Sequence, residues 1–505
     1  MNKLVYSIGF ACVLLCSSCN DWLSVTPEGQ TEAEDLYETD RGCNSALGGI
    51  YYTLTNKSLY GKELSYGMMD ALAQYWNVDK DIKHNYYYDT QYDYTNSLVK
   101  GRMDAIWNQM YQAVTACNAF IHYINPDKVL NADLMIGEAY ALRAFCHMEL
   151  FELYGPVIKT KADLQKKAIA YRTEFNVTSK NFDTGETVLA MAEADLQKAL
   201  EYLKNDPIKN PQIGRRGDSN TSILTYHEVL NQRGNRMNYY CALGLLARLE
   251  MLRKDYDKAN SYALRVIEEA KDVIRLIDKT NLEAPNEASK DYPFCTEMLG
   301  AFYLNELYSD AGNIFNMNDK VASASNGYPI DNDRWTFLSK NIYIREPDGS
   351  GLDDRLRYWF KSSESGSENP IYDFTKFKEP VAVNMQTSYD PVFPIMRMSE
   401  IYYILSETSI GKDPQNEQAL EYLNQVRRTR NLEDIKGPLS DEVMLEYIVR
   451  DARKDFIGEG RIFLMYKRLF YSIYVSAEKT VAPTDAMFVF LIPDNEYEFT
   501  GQEKK

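Results

Sequence analysis

Residues Tyr239–Ala270 read YYCALGLLARLEMLRKDYDKANSYALRVIEEA. Apolar residues recur there every three or four positions, the period of an amphipathic helix. Lys254-Asp255 interrupts the pattern, so the stretch divides into two helices joined by a tight turn. Ala247 and Ala259 stand twelve positions apart, and Ala263 follows. Small residues at that spacing let two antiparallel helices approach closely, because no bulky side chain holds the backbones apart.

The same arrangement recurs downstream. Met398–Gly411 and Gln415–Arg430 form a second helical pair, with Ala419 at the equivalent place. Both pairs resemble tetratricopeptide hairpins, although strict repetition every 34 or so residues is absent. Other amphipathic helices are expected near 31–55, 101–124, 131–154 and 185–204, over 236–253 and 256–271 as the first pair, and near 392–410, 415–430 and 440–470. Strand-like alternation is scarce and short. The expected fold is therefore all-α: a scaffold of tetratricopeptide-like helical hairpins carrying a loop-rich inserted ligand-binding region. Gly, Ser, Asn, Asp and Pro become frequent over about 273–390, and a second irregular stretch covers Gly67–Asn96. Long irregular segments in an ordered domain often carry function. No Pro/Gly/Ser linker divides the chain. One body over 19–505 is expected, its helical scaffold spanning about 31–272 and 391–505.

The N-terminus reads as a targeting signal over 1–18. Lys3 supplies a positive charge, and Leu4–Leu15 forms an apolar run of about a dozen residues, the length of a signal-peptide core. It is shorter than the roughly 20 apolar residues needed to span a bilayer. Ser17-Ser18-Cys19 follows, similar to a bacterial lipoprotein signal, which implies lipidation at Cys19. The sequence departs from that pattern in carrying Cys16 where a leucine is usual. An ordinary secretory signal is the alternative reading. Several acyl chains would make such anchoring stable where one is marginal. The formal charge of −17 argues against nucleic-acid binding and against docking on anionic lipid. Beyond the signal, Cys43, Cys117, Cys146, Cys241 and Cys295 are odd in number and widely spaced, which points to buried free thiols rather than a disulfide framework.

Several short motifs occur in order along the chain. Asn20-Asp21-Trp22-Leu23-Ser24-Val25-Thr26-Pro27 follows Cys19. Leu142-Arg143-Ala144-Phe145 continues to Leu150-Phe151-Glu152-Leu153-Tyr154-Gly155. Later come Pro394-Ile395-Met396-Arg397-Met398-Ser399-Glu400, Leu423-Asn424-Gln425-Val426-Arg427, Phe456-Ile457-Gly458-Glu459-Gly460-Arg461 and Ile492-Pro493-Asp494-Asn495-Glu496. As an ordered set they resemble the SusD/RagB family of nutrient-binding outer-membrane lipoproteins. Ile462-Phe463 stands where that family usually carries a tryptophan. The resemblance implies a surface-exposed lipoprotein of the cell outer membrane, anchored through Cys19. Such a protein captures oligosaccharides and delivers them to a SusC-like TonB-dependent transporter. It implies no enzyme, no cofactor and no nucleic-acid partner. A RagB-like peptide binder is the alternative within the family. A helical envelope scaffold without a small ligand is the alternative outside it. Arg143, Arg397 and Glu459 are expected to be buried and paired, because charges inside apolar helices normally are.

No HExxH, GxSxG, P-loop or GxGxxG pattern occurs, so catalytic residues are not expected. No metal-ligand spacing occurs either. Aromatics are plentiful, with 39 tyrosines. A pyranose presents an apolar C–H face that stacks on an aromatic ring, and its hydroxyls need planar polar partners. Tyr75-Trp76-Asn77 opens the first irregular stretch, and Tyr86, Tyr87, Tyr88, Tyr92 and Tyr94 follow. If extended, that segment aligns Tyr86, Tyr88, Tyr92 and Tyr94 on one face; if helical, it aligns Tyr88 and Tyr92 alone. The resemblance implies aromatic platforms in such loops. The expected ligand-binding residues are therefore Trp76, Asn77, Tyr86, Tyr88, Tyr92, Trp335 and Trp359, with Gln74 and Arg345 as hydrogen-bonding candidates. Trp107, at helical spacing from Tyr111, is expected in the core, and Trp22 in packing of the N-terminal segment.

Overall fold

The computed structural model describes residues 33–76, 78, 83–212, 228–285, 289–315, 327–328, 330, 332–343, 353–362, 372–379, 391–476 and 478–500. Among them are eleven helices of eight residues or more. In chain order these are α1 (Asp40–Leu54), α2 (Ser97–Tyr123), α3 (Ala132–Tyr154), α4 (Gly185–Tyr202), α5 (Tyr239–Arg253), α6 (Tyr256–Ala270), α7 (Leu307–Ile314), α8 (Met398–Thr408), α9 (Glu417–Thr429), α10 (Asp441–Asp455) and α11 (Arg461–Leu469). Three two-stranded antiparallel sheets accompany them: β1 (Met298–Tyr303) with β4 (Val392–Arg397), β2 (Phe360–Ser362) with β3 (Tyr372–Phe374), and β5 (Ile473–Ser476) with β6 (Lys479–Val481).

Sequence neighbours pack as spatial neighbours. The helices stack α1 on α2, α2 on α3, and so on to α6, which meets α8 and through it α9. In the α5–α6 hairpin Ala247, Ala259 and Ala263 are all fully buried, which fits their role as close-approach positions. Lys254 ends α5 in a left-handed conformation (φ 59°), and the Asp255 side chain caps α6 by accepting from the Lys258 amide. Every residue of α5 is buried, so this helix lacks a polar face and serves as an inner strut.

Two expected helices change form. The one near 392–410 begins at Met398, because Val392–Arg397 pairs as β4 with β1. The one over 440–470 is two helices. Gly458 (φ 80°) and Gly460 (φ 71°) turn the chain between α10 and α11. A Cβ at Gly460 would stand 2.3 Å from the Leu64 carbonyl oxygen, so the close approach there excludes a side chain.

That turn is tied into the interior by charge. Glu459 accepts from Lys376 (2.6 Å) and Arg397 (3.0 Å), and Arg397 also reaches Glu297 (3.2 Å). Arg430 pairs with Glu297 and Asp455, while Arg355 pairs with Asp353, Asp451 and Asp455. Arg143 pairs with Asp195 at 2.6 Å. The expectation of buried, paired charges at Arg143, Arg397 and Glu459 is met. Cys43, Cys117, Cys146, Cys241 and Cys295 are free and buried, and Trp107 lies in the core 4.9 Å from the Tyr111 ring. Trp22 lies outside the described residues.

Candidate functional site

A cleft of about 1030 Å³ lies where the C-terminal end of α1, residues 231–236 and the β1–α7 junction converge. Each wall follows from local sequence. In α1 the apolar stripe Cys43, Leu47, Ile50 and Leu54 faces the core, which leaves Tyr52 on the outer side, 80% exposed. β1 is buried from Met298 through Phe302, and its last residue, Tyr303, emerges 47% exposed. The register of β1 on β4 fixes that position, with Tyr303 opposite Val392.

Deeper in, Tyr51 is half-buried under the Arg236 guanidinium, 5.1 Å from the ring centre. Tyr51 donates to Glu138 at 2.6 Å and accepts from the Met237 amide at 2.9 Å. Arg236 donates to both Glu138 oxygens at 3.0 Å. Burial, and next the Glu138 carboxylate, holds the Tyr51 phenol well above its ordinary value. Burial works against the charge on Arg236, but Glu138 outweighs it and raises that group. Both are thus fixed in their hydrogen-donating forms. Arg233 buttresses the same carboxylate and holds Asp206 at 2.6 Å. Lys57 bridges to Asp310 at 2.9 Å, joining the segment after α1 to α7.

The lining therefore combines two outward tyrosines with side-chain amides from Asn56, Asn231, Gln232, Asn235 and Asn305. Its cations are matched, Lys57 by Asp310 and Arg236 by Glu138, whereas Glu306 has no ion-pair partner among the described residues. Such a surface offers ring faces for stacking and planar groups for hydroxyls, and its charged lining residues, Lys57, Arg236, Glu306 and Asp310, carry no net charge.

Of the seven residues singled out from sequence, the six that are described do not line this cleft. Trp76 is a correction: it is 1% exposed, stacked on Tyr328 at 5.3 Å, with its indole N–H donated to Asp70 at 3.1 Å. Trp359 is a second correction, fully buried, its N–H on the Tyr292 carbonyl at 2.7 Å and Lys376 over its ring at 4.2 Å. Tyr86 is a third. It is buried against Tyr328 and bonded to Glu63 at 3.1 Å. Gln74, a hydrogen-bonding candidate, is also buried and donates to the Thr90 carbonyl.

The segment is not extended, since Tyr87–Thr90 forms a short helix. Tyr88 stays half-buried with its ring edge against Tyr87. Tyr92 is half-buried in a left-handed conformation (φ 56°), donating to the Leu72 carbonyl at 3.0 Å and accepting from Gln74. Trp335 is half-buried, one face stacked on Tyr372 at 3.9 Å. Asn77, Arg345 and Cys19 lie outside the described residues. Asp70 anchors the Trp76 knot to the α10–α11 turn, accepting from the Gly458 amide at 2.8 Å and the Gly460 amide at 3.3 Å. Burial pushes its carboxyl up to about 7 against those donors. The missed residues did carry a signal: Tyr52 is a large aromatic on the polar face of an amphipathic helix, and Tyr303 is the outward member of a Phe-Tyr step in a strand.

Among the described residues no group of three or more His, Cys, Asp or Glu side chains is arranged to hold a metal ion, and no helix is long and apolar enough to cross a membrane. The sequence profile described as "Starch-binding associating with outer membrane" (SusD-like_3) matches residues 22–215, and that of the SusD family (SusD_RagB) matches 361–487. The SusD-like protein P2 of Formosa agariphila is 22% identical over 488 residues, covering 90% of this chain and 87% of its own. SusD-like protein P38 of the same organism is 21% identical, covering 88% and 86%. Among solved structures, a SusD-like carbohydrate binding protein from Bacteroides vulgatus superposes with a TM-score of 0.65 at 18% identity, over 92% of this chain and 97% of that one. A SusD superfamily protein from Bacteroides thetaiotaomicron gives 0.64 at 20%, over 91% and 98%. At these identities the structural likeness concerns the fold.

Proposed function

The chain belongs to the SusD/RagB family, and from that premise we propose that it captures oligosaccharides at the outer membrane and passes them to a SusC-like TonB-dependent transporter. The observation that carries this reading is the cleft of about 1030 Å³ with Tyr52 and Tyr303 standing outward among side-chain amides. A pyranose stacks on each ring through its C–H face while Asn56, Asn305 and Gln232 meet its hydroxyls. Matched cations and an unpaired Glu306 favour an uncharged glycan over a sulfated or uronic one. The protein acts by binding, with no catalytic step. A lipid on Cys19 holds it at the membrane surface. Tyr88 and Trp335, which keep part of their surface exposed, are proposed as secondary contacts.

The test is calorimetric titration of the purified chain with neutral oligosaccharides, acidic oligosaccharides and mixed peptides. Saturable binding of neutral sugars, weakened by Tyr52→Ala and by Tyr303→Ala, is the expected result. Binding that ignores both substitutions removes the cleft from the reading. Binding of peptides alone turns it to a RagB-like cargo, and no binding of any kind turns it to a scaffold.

A further inference from the structure

Most interior arginines among the described residues are matched by carboxylates, as at Arg233, Arg355, Arg397 and Arg430. Arg453, near the end of α10 and 3% exposed, departs from that rule. Its Nη2 donates to the Tyr474 carbonyl at 2.9 Å, while Nε and Nη1 have no acceptor and no carboxylate pairs with it among the described residues. Rings of Tyr75, Phe337 and Tyr474 lie 5.5–5.6 Å from its guanidinium carbon. Aromatic faces offset part of a buried charge, but they do not accept two directed N–H bonds as an oxygen anion does. Leaving a buried cation's donors unpaired is costly, so such a site gains strongly from an incoming anion.

Arg453 lines a cavity of about 140 Å³ between α10, α11, β5 and residues 337–342. Tyr466, fully buried, lines the same cavity, and its hydroxyl also lacks a partner. The walls otherwise include apolar Phe337, Ile342 and Val449, and the Arg450–Glu446 pair at 3.0 Å contributes no net charge. The lining thus carries one positive charge inside a chain of formal charge −17. Its volume is near the roughly 150 Å³ that holds a benzene-sized guest in a well-studied engineered cavity of another protein.

We infer that this cavity binds one carboxylate on a short apolar stem, its oxygens meeting Arg453 and the Tyr466 hydroxyl. The carboxylate comes either from a small organic acid or from the acidic end of a sugar. This site is separate from the Tyr52–Tyr303 cleft and does not depend on the oligosaccharide reading.

The experiment titrates the purified full chain at constant ionic strength with sodium acetate, propionate and glucuronate, with propionamide and sulfate as controls, following calorimetric heat and Tm. Saturable binding of a carboxylate, absent for propionamide and sulfate, is expected. Preference for propionate or for glucuronate distinguishes the free acid from the sugar acid. Tyr466→Phe should leave the unliganded Tm unchanged and raise the carboxylate Kd about three- to tenfold. Arg453→Met, where it folds, should abolish binding, while Tyr52→Ala should not alter it. Equal response to sulfate or propionamide, no saturable carboxylate binding, or binding unchanged by Tyr466→Phe overturns the proposal.

Discussion

Two aromatic-rich regions of this protein have opposite fates. Around Trp76, the rings of Phe315, Tyr328 and Phe374 close on one another, and the indole N–H is satisfied by Asp70. Around Tyr52 and Tyr303, the rings stand outward on an open cleft lined by side-chain amides. Composition is similar in the two; what differs is whether the ring faces are covered by the protein's own side chains. A ring whose faces and polar tip are taken by its own chain stabilises the fold, whereas a ring left outward on a rigid helix or strand is available to a ligand.

The largest effect that would sharpen this comparison is on stability. Trp76→Ala should cost about 3–5 kcal/mol in urea unfolding, through lost burial and the cavity left behind. The folded fraction should still bind oligosaccharide with unchanged Kd. A weakened Kd with intact stability would reverse the roles assigned to the two regions.

The second effect is a pH dependence confined to the closed region. Asp70 titrates at about 7 in the native state, raised by burial, against an ordinary value of 3.8. Between those values the native state keeps a proton that the unfolded chain has released. Stability from this group is therefore present below about pH 4 and lost as pH rises towards 7. Asp70→Asn cannot titrate, so its stability relative to wild type should rise from pH 4 to pH 7, as read from urea midpoints. A flat difference breaks the account of the knot.

The third effect belongs to the cleft. Tyr52→Ala and Tyr303→Ala should each weaken neutral-oligosaccharide binding by about two- to tenfold, for a stacked ring worth about 0.5–1.5 kcal/mol. Each should change stability by less than about 0.5 kcal/mol, since an exposed side chain loses few contacts. The smallest effect is expected at Lys57, whose bridge to Asp310 is exposed on the lysine side. Lys57→Ala should cost under about 1 kcal/mol and fade further in high salt, as differential scanning calorimetry would show.

Legibility in the sequence followed the range of the interactions. The α5–α6 hairpin was readable because its helical period, its turn and its close-packed alanines all lie within Tyr239–Ala270. The break at 456–460 was not, because Gly458 and Gly460 take their meaning from Asp70 and Leu64, nearly 400 positions away in the chain. The start of α8 was misplaced for the same reason: Val392–Arg397 becomes a strand through its pairing with β1. Loop position suggested Trp76 and Trp359 as ligand contacts, yet Asp70 and the Tyr292 carbonyl take their N–H groups inside the core. Tyr52 and Tyr303 were legible in principle, as aromatics on the outward positions of a helix and a strand.

By itself the sequence determined the all-helical hairpin scaffold, the buried thiols and the family, because these rest on local periodicity and ordered short motifs. Only the tertiary structure decided which aromatics are core and which are open, and which buried charges are matched. Burial and pairing are properties of side chains brought together from distant parts of the chain, and local sequence pattern does not carry that distance.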